Sequence, residues 1–184
     1  MKRTFQEDLD SAVAFHGHLC AGQYLGTRIS RIALEHFGIE EPEKYRDLIC
    51  FIECDRCLAD AVASVCRCSM GRRRLKFHDQ GKMAAVFYDL ASDEAIRIYV
   101  KGEAKSKPGD DIVAFYDQFS DEEFFEVQPV KIELDPCDLP GRPLKHAICA
   151  TCGEQIKDGR EIERDGQTLC KTCAGVDVYY QIIE

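Results

Sequence analysis

The 184-residue chain has no long run of apolar residues and no excess of positive charge. No stretch approaches the roughly 18 consecutive apolar residues that a membrane-spanning helix requires, so no membrane segment is expected. Its 24 Lys and Arg residues are outnumbered by 33 Asp and Glu residues, which gives a net charge of -9 at pH 7. A chain with this charge is poorly suited to binding polyanions, and nucleic acid is therefore not an expected partner.

The segment MKRTFQEDLDSAV at residues 1–13 also lacks the apolar stretch of a secretory signal. We therefore expect a cytoplasmic protein whose 11 cysteines stay reduced. In that compartment, clustered cysteines indicate metal binding or thiol chemistry rather than disulfides.

Apolar patterning predicts helices and strands before residue 135 and a separate module after it. Apolar residues at helical spacing predict helices over 18–37, 56–66 and 110–119. Short apolar runs predict the strands 48–53, 75–78, 83–89, 95–100 and 124–134. Ser120 begins a Ser-x-x-Glu capping box, and residues 101–109 are predicted to be a linker. Prolines and a glycine within 135–145 indicate a domain boundary, so we expect a core domain at 1–138 and a small module at 139–184.

Four cysteines in this module have the spacing of a zinc site. Cys149 and Cys152 form one Cys-x-x-Cys pair, Cys170 and Cys173 form another, and 17 residues separate the pairs. Two such turns complete a tetrahedron of thiolates with zinc–sulfur distances of about 2.3 Å. A module this short rarely folds on a hydrophobic core alone, so the sequence predicts a structural zinc. Four thiolates leave no open position, and this zinc is therefore not expected to be catalytic.

A second group of metal-ligand residues consists of His16, His18 and Cys20. In an extended segment, alternate residues project to one face, so these three side chains would face one ion together. Imidazole and thiolate are ordinary ligands of zinc and neighbouring transition metals. The segment also leads into the first predicted helix, whose dipole and free N–H groups would favour a reactive thiolate at Cys20. The alternative is that either histidine is a hydrogen-bonded core residue.

A third group follows the predicted strand 48–53. Cys54 and Cys57 form another Cys-x-x-Cys pair, and such a pair near the start of a helix is typical of redox sites. Asp60 lies on the same helix face as Cys57. An iron–sulfur site is a further alternative, built from Cys54, Cys57, Cys66 and Cys68. Burial as small apolar residues is the default interpretation for Cys50, Cys54, Cys66 and Cys137.

Together these motifs resemble the family of the formylmethanofuran dehydrogenase E-subunit over about residues 8–135. The resemblance is carried by Phe15-His16-Gly17-His18-x-Cys20, Gly22, Gly26, Arg56-Cys57-x-x-Asp60-Ala61, Cys68-x-x-Gly71 and Gly81-Lys82. An appended four-cysteine module is also typical of members. Two positions depart from the family pattern: Ala21 stands where members carry Pro, and Arg67-Cys68-Ser69 stands where members have Gly-Cys-Thr.

The resemblance implies an α+β fold, with helices packed on a mixed or antiparallel sheet, followed by a small zinc-ribbon or treble-clef module. It also implies a metal site in a groove of the core, with zinc as the expected metal and His18, Cys20 and Cys57 as the expected ligands. His16, Asp60 and Cys68 are further candidates for this groove site. A homodimer is expected, as is association with the subunits of a molybdenum or tungsten oxidoreductase whose catalytic cofactor lies on other subunits.

Three functions are compatible with this pattern. The first is a metal-binding accessory protein of a molybdenum or tungsten formylmethanofuran-dehydrogenase-like oxidoreductase. The second is an enzyme in its own right, in which Cys20 and His18 are the candidate catalytic residues of an open metal site or a thiol site. The third is a regulatory scaffold that senses a metal in the groove. The coordination number of the groove metal separates these functions, because a closed site indicates structure or sensing and an open site indicates chemistry.

Overall fold

The computed structural model describes residues 2–101 and 105–183. Contacts between the residues divide the chain into two compact units, Met1–Ile132 and Glu133–Glu184. The boundary predicted from sequence, between 138 and 139, falls a few residues inside the second unit. Within the predicted linker 101–109, residues 102–104 lie outside the described residues.

Among its described residues, the first unit contains three longer α-helices and two short ones. They are α1 (Phe5–His16), α2 (Ala21–His36), α3 (Cys57–Val65), α4 (Ile112–Tyr116) and α5 (Asp121–Phe124). The helices predicted at 18–37 and 56–66 are confirmed as α2 and α3. The capping box at Ser120 is also confirmed, since its side chain accepts from the Glu123 N–H and the Glu123 side chain accepts from the Ser120 N–H. None of the helices described is both long enough and apolar enough to cross a lipid bilayer.

The strands of the first unit form one mixed five-stranded sheet. They are β1 (Leu48–Ile52), β2 (Leu75–Phe77), β3 (Ala84–Asp89), β4 (Glu94–Val100) and β5 (Phe125–Val130). Their order in the sheet is β2-β1-β3-β4-β5, in which β1 and β2 are parallel and all other neighbours are antiparallel. Helices on a mixed sheet confirm the predicted α+β class.

The hydrophobic core lies between this sheet and helices α1, α2 and α3. Apolar side chains of α2 and α3 meet those of β3 and β4, and the largest of them are fully buried, among them Ile29, Leu34, Leu58, Phe87 and Ile98. Burying a side chain of this size stabilises a fold by roughly 1.5–3 kcal/mol relative to leaving it in water. This packing fixes the positions of α2 and α3, whose first residues carry the chemistry discussed below.

The second unit contains two β-hairpins. They are formed by β6 (His146–Ile148) with β7 (Gln155–Lys157), and by β8 (Ile162–Arg164) with β9 (Gln167–Leu169). Asp165 and Gly166 both have positive φ, at 51° and 75°, as the turn between β8 and β9 requires. The unit's buried core is small and consists of Cys149, Ile156, Leu169 and Ala174. A core of this size favours a metal as the main source of stability.

Candidate metal centres

The four cysteines of the second unit converge on one point. The sulfur atoms of Cys149, Cys152, Cys170 and Cys173 all lie within 4.8 Å of one another. The Cys152 and Cys170 sulfurs are 3.9 Å apart. In a zinc tetrahedron with bonds of about 2.3 Å, neighbouring sulfurs are about 3.8 Å apart, so this set of donors fits zinc.

Local backbone geometry explains why each Cys-x-x-Cys pair directs two sulfurs inward. Cys149 and Cys152 lie between β6 and β7, where Gly153 has a φ of 74° and its N–H donates to the Cys149 carbonyl at 3.0 Å. Hydrogen bonds from backbone N–H groups, chiefly those of Cys152 and Cys170, lower the pKa of Cys149 to about 6. Such N–H groups stabilise a thiolate, which is the form that binds zinc.

The second pair repeats this arrangement after β9. The Ala174 N–H donates to the Cys170 carbonyl at 2.9 Å, and the Cys173 N–H points at the Cys170 sulfur at 3.4 Å. Hydrogen bonding with the Cys170 sulfur, together with burial, raises the pKa of Cys173 to about 12. Four sulfurs this close cannot all ionise unless a cation lies between them, as zinc would.

In the first unit, a second group of donors forms where three helices begin or end. His16 is the last residue of α1, Cys20 directly precedes α2, and Cys57 is the first residue of α3. The donor atoms of these three residues, hereafter the core site, all lie within 4.8 Å of one another. Burial, followed by contact with the Cys20 thiol, raises the pKa of Cys57. All three side chains are half-buried, which leaves the site accessible from one side.

Two glycines allow α2 and α3 to bring these sulfurs together. A Cβ atom added at Gly22 would lie 2.7 Å from the Cys57 Cβ, and one added at Gly26 would lie 2.6 Å from the Ala61 Cβ. Both distances are shorter than van der Waals contact, so any side chain here would force the helices apart. The absence of side chains at Gly22 and Gly26 therefore allows the close contact between α2 and α3.

His16 is held with one nitrogen on a carboxylate and the other directed into the protein. Its Nδ1 lies 2.8 Å from Asp60 Oδ2. Its Nε2 is buried and has no hydrogen-bond partner among the described residues. If Asp60 accepts a hydrogen from Nδ1, Nε2 carries a free lone pair, which is the donor a metal needs. The residues of the core site therefore fit a transition metal such as zinc.

Gln23 supports the core site and was not predicted from the sequence. It is fully buried on α2, and its Nε2 donates to the Cys57 carbonyl at 2.6 Å. This hydrogen bond ties the start of α3 to α2 beside the two thiols. Its Oε1 is buried without a hydrogen-bond partner among the described residues. A lone Gln within a helix gives no sequence signal, because its partner is 34 residues away.

The other predicted groove residues lie outside the three-donor group. His18 is exposed, with its ring centroid 4.7 Å from that of His16. The predicted extended segment does not include His16, because α1 continues to that residue and Gly17 then turns the chain with a φ of 101°. Asp60 contacts His16 as described above. Cys68 is buried beyond the far end of α3, where its sulfur lies 3.8 Å from the Val62 carbonyl.

The remaining cysteines of the first unit are buried. Cys50 is fully buried, and this burial, followed by interaction with Cys66 and Cys68, raises its pKa well above the usual value. Cys54 lies beside Met83, with sulfurs 4.0 Å apart. In residues 2–101 and 105–183, three or more His, Cys or acidic donors converge only at the four-cysteine cluster and at the core site. The four cysteines considered for an iron–sulfur site are thus not brought together.

Two family models match this chain, one in each unit. The model described as "FmdE, Molybdenum formylmethanofuran dehydrogenase operon" matches residues 15–128, which include all three donors of the core site. The model of the prokaryotic dksA/traR C4-type zinc finger matches residues 142–179, which include all four clustered cysteines. The C-terminal module is accordingly a C4-type zinc finger.

Two similar proteins extend the comparison. A probable S-adenosyl-L-methionine-binding protein of Archaeoglobus fulgidus is 28% identical over an alignment of 213 residues, which covers 94% of this chain and 53% of that protein. The chain thus spans about half the length of this relative. The second is a crystal structure of a tungsten formylmethanofuran dehydrogenase E-subunit (FmdE)-like protein from Syntrophus aciditrophicus. Its superposition on this chain has a TM-score of 0.59 at 24% sequence identity, and the match covers 97% of this chain and 96% of that one. This likeness shows a shared fold.

Proposed function

Because this chain belongs to the FmdE family, we propose that it is a metal-binding accessory protein of a molybdenum or tungsten formylmethanofuran-dehydrogenase-like oxidoreductase. In this proposal it holds a structural zinc in the four-cysteine module and a second zinc in the core site. One observation supports the second zinc. The His16 Nε2 atom is buried without a hydrogen-bond partner among the described residues, and His16 converges with two thiols.

The donors of the core site favour an open zinc site. His16 Nε2 and the sulfurs of Cys20 and Cys57 supply three protein ligands, a number typical of zinc sites that keep a fourth position for water or another molecule. Asp60 would fix the His16 ring and make it a better ligand, as carboxylates commonly do behind metal-bound histidines.

His18 has a different part in this proposal from the one predicted for it. Its ring is exposed and lies against that of His16, so we place it at the mouth of the core site. There it could donate to or accept from a molecule bound at the fourth position. Phe15 and Leu19 flank it and are 64% and 39% exposed. Neighbouring exposed apolar residues commonly mark a contact surface, which supports docking of an oxidoreductase subunit at this mouth.

A stand-alone enzyme is the second candidate function, and the open fourth position favours it. A zinc with three protein ligands can activate water or polarise a substrate, with His18 close enough to transfer a proton. S-adenosyl-L-methionine is a suitable first probe because the Archaeoglobus relative is described as a probable binder of it. The predicted homodimer and the predicted cytoplasmic location stay predictions.

Metal analysis of single variants tests the core zinc. We expect about two zinc ions per chain in the purified protein, about one in the His16→Ala and Cys20→Ser variants, and about two in His18→Ala. His18→Ala is the matched control, because it removes an imidazole two residues away without removing a proposed ligand. One zinc per chain in the wild type, unchanged in Cys20→Ser, would rule out the core zinc.

Coordination number and co-purification then separate the two candidate functions. Cobalt substitution and absorption at the zinc edge report whether the fourth position holds a water or a protein side chain. Capture of the tagged full chain from its native host should recover molybdenum or tungsten oxidoreductase subunits if it is an accessory protein. Recovery of the chain alone, together with a fourth position that exchanges with S-adenosyl-L-methionine or another small molecule, would favour the enzyme.

A further inference from the structure

Cys20 and Cys57 form a thiol pair that solvent can reach. Their sulfurs lie within 4.8 Å of each other. Both residues are half-buried. By contrast, the other cysteines of the first unit are each 5% exposed or less, namely Cys50, Cys54, Cys66 and Cys68. Within the first unit, an oxidant from solution would therefore meet Cys20 and Cys57 before the other cysteines.

The backbone around this pair permits a disulfide without unfolding the helices. Residues 17–20 and 53–56 are irregular chain, while the contact of α2 with α3 is fixed further along by Gly26 against Ala61. Closing the sulfurs to about 2.05 Å requires a movement of no more than roughly 3 Å, which is within the swing of a cysteine side chain between rotamers.

We propose that Cys20 and Cys57 are a redox switch, in which a hydroperoxide converts them to a disulfide and so releases the core metal. One thiolate attacks a peroxide oxygen, the O–O bond breaks, and a sulfenic acid forms as hydroxide or alkoxide departs. The second thiol attacks this sulfur, the S–S bond forms, the S–O bond breaks, and water departs. The two thiols lose two electrons and two protons, and the peroxide is reduced to water and an alcohol or a second water.

This inference rests on the proposed function, because it takes the ligands of the core zinc as the redox pair. Once both sulfurs are bonded to each other, only His16 is left as a protein ligand, and a single imidazole does not retain zinc. The four-cysteine cluster serves as an internal comparison in the same chain. Its zinc is enclosed by four thiolates, whereas the core zinc has an open side through which peroxide can approach.

The test uses the full-length, zinc-loaded protein treated with a small excess of hydrogen peroxide. We expect about one of two zinc ions per chain to be released, the intact mass to fall by about 2 Da relative to the zinc-free reduced chain, and dithiothreitol to restore binding. A peptide map without reductant should show Cys20 linked to Cys57. Cys54→Ala is the matched control, because it removes a neighbouring but buried cysteine, and it should give the same cross-link.

Three results would overturn the switch. The first is a gain of about 32 Da on Cys20 or Cys57 with no cross-link, which indicates irreversible oxidation. The second is release of zinc from the four-cysteine module with the core zinc retained. The third is release of about one zinc ion per chain by peroxide from Cys57→Ser, because this variant lacks a proposed core ligand and should have no core zinc to lose. Protein purified without a core zinc would contradict the proposed function and the metal release, whereas the peptide map would still test formation of the Cys20–Cys57 disulfide by itself.

Discussion

Replacing Gly22 by alanine is expected to weaken metal binding at the core site while leaving the zinc finger intact. The added Cβ would lie 2.7 Å from the Cys57 Cβ and 3.2 Å from the Leu58 nitrogen. Carbon atoms in contact are normally about 3.5–4.0 Å apart, so α2 and α3 must separate by about 1 Å at this level. Metal sites tolerate errors of only about 0.2 Å in ligand distance, and Cys20 and Cys57 lie on opposite sides of this contact.

The magnitude follows from two opposing effects. Overpacking a tight contact typically costs about 1–3 kcal/mol, and alanine in place of glycine in a helix recovers up to about 1 kcal/mol. We therefore expect the free energy of unfolding to fall by about 1–2 kcal/mol. Displaced ligands should lower zinc affinity at the core site by about 10–100-fold, similar to the loss of a supporting residue behind a metal.

Competition with a chromogenic chelator measures this affinity, and thermal unfolding of the zinc-loaded protein measures the stability. Gly71→Ala is the control, because a Cβ added there meets nothing within 4 Å. It should keep both zinc ions and the wild-type affinity. A Gly22→Ala protein that binds two zinc ions with unchanged affinity would refute the argument that this glycine sets the distance between the two thiols.

Three further predictions concern single side chains. Asp60→Asn should lower zinc affinity at the core site by about 10–100-fold with little effect on thermal stability. Asparagine has the shape of aspartate but is a weaker hydrogen-bond acceptor for His16. Equal zinc affinity of the variant and the wild type in a chelator titration would contradict this role of Asp60. Cys152→Ser should abolish zinc binding in the C-terminal module and make it sensitive to protease, since zinc supplies about 10–16 kcal/mol to such modules. Burial alone would raise the pKa of Asp89, but hydrogen bonds, first from Tyr45, lower this pKa below its usual value. The Asp89 carboxylate therefore stabilises the fold above its ordinary pKa, and this stabilisation is lost as the pH falls through the lowered pKa. The stability difference between wild type and Asp89→Asn should accordingly shrink on acidification in urea titrations, and a constant difference would argue against this source of stability.

The C-terminal module could be predicted from sequence because its geometry is local. Two Cys-x-x-Cys turns and one Asp-Gly hairpin specify most of the distances among the four sulfurs, and all of these features are contiguous in the chain. The strands β1 to β5 were predictable for a similar reason, since each is a short apolar run with a turn on either side. Their parallel or antiparallel pairing depends on contacts between distant residues and could not be derived in this way.

Helix α1 was missed although one signal for it is present. Thr4 and Glu7 form a reciprocal capping box at its start. Only a narrow stripe of the helix faces the core, at Asp8, Leu9 and Ala12, and the buried Asp8 interrupts the apolar pattern. Asp8 is compensated by ion pairs with Arg3 and Arg31, which come from outside the helix. The spacing of apolar residues therefore gives only a weak signal for a helix whose buried face includes an ion-paired charge.

Because helix α1 is not evident from the sequence pattern, His16 and His18 are both predicted to lie in an extended segment. With an extended chain, His16 and His18 lie on one face, whereas a helix that ends at His16 directs them differently. The glycine between them adopts a left-handed conformation that ends α1, so His16 stays against Asp60 on α3 while His18 turns outward. The three residues 16–18 thus place one imidazole in the proposed metal site and one at the surface. A beta-branched or bulky residue at position 17 would disfavour the left-handed turn by about 1–2 kcal/mol. Such a residue would also move His16 away from Asp60. The motif therefore needs glycine between its two histidines.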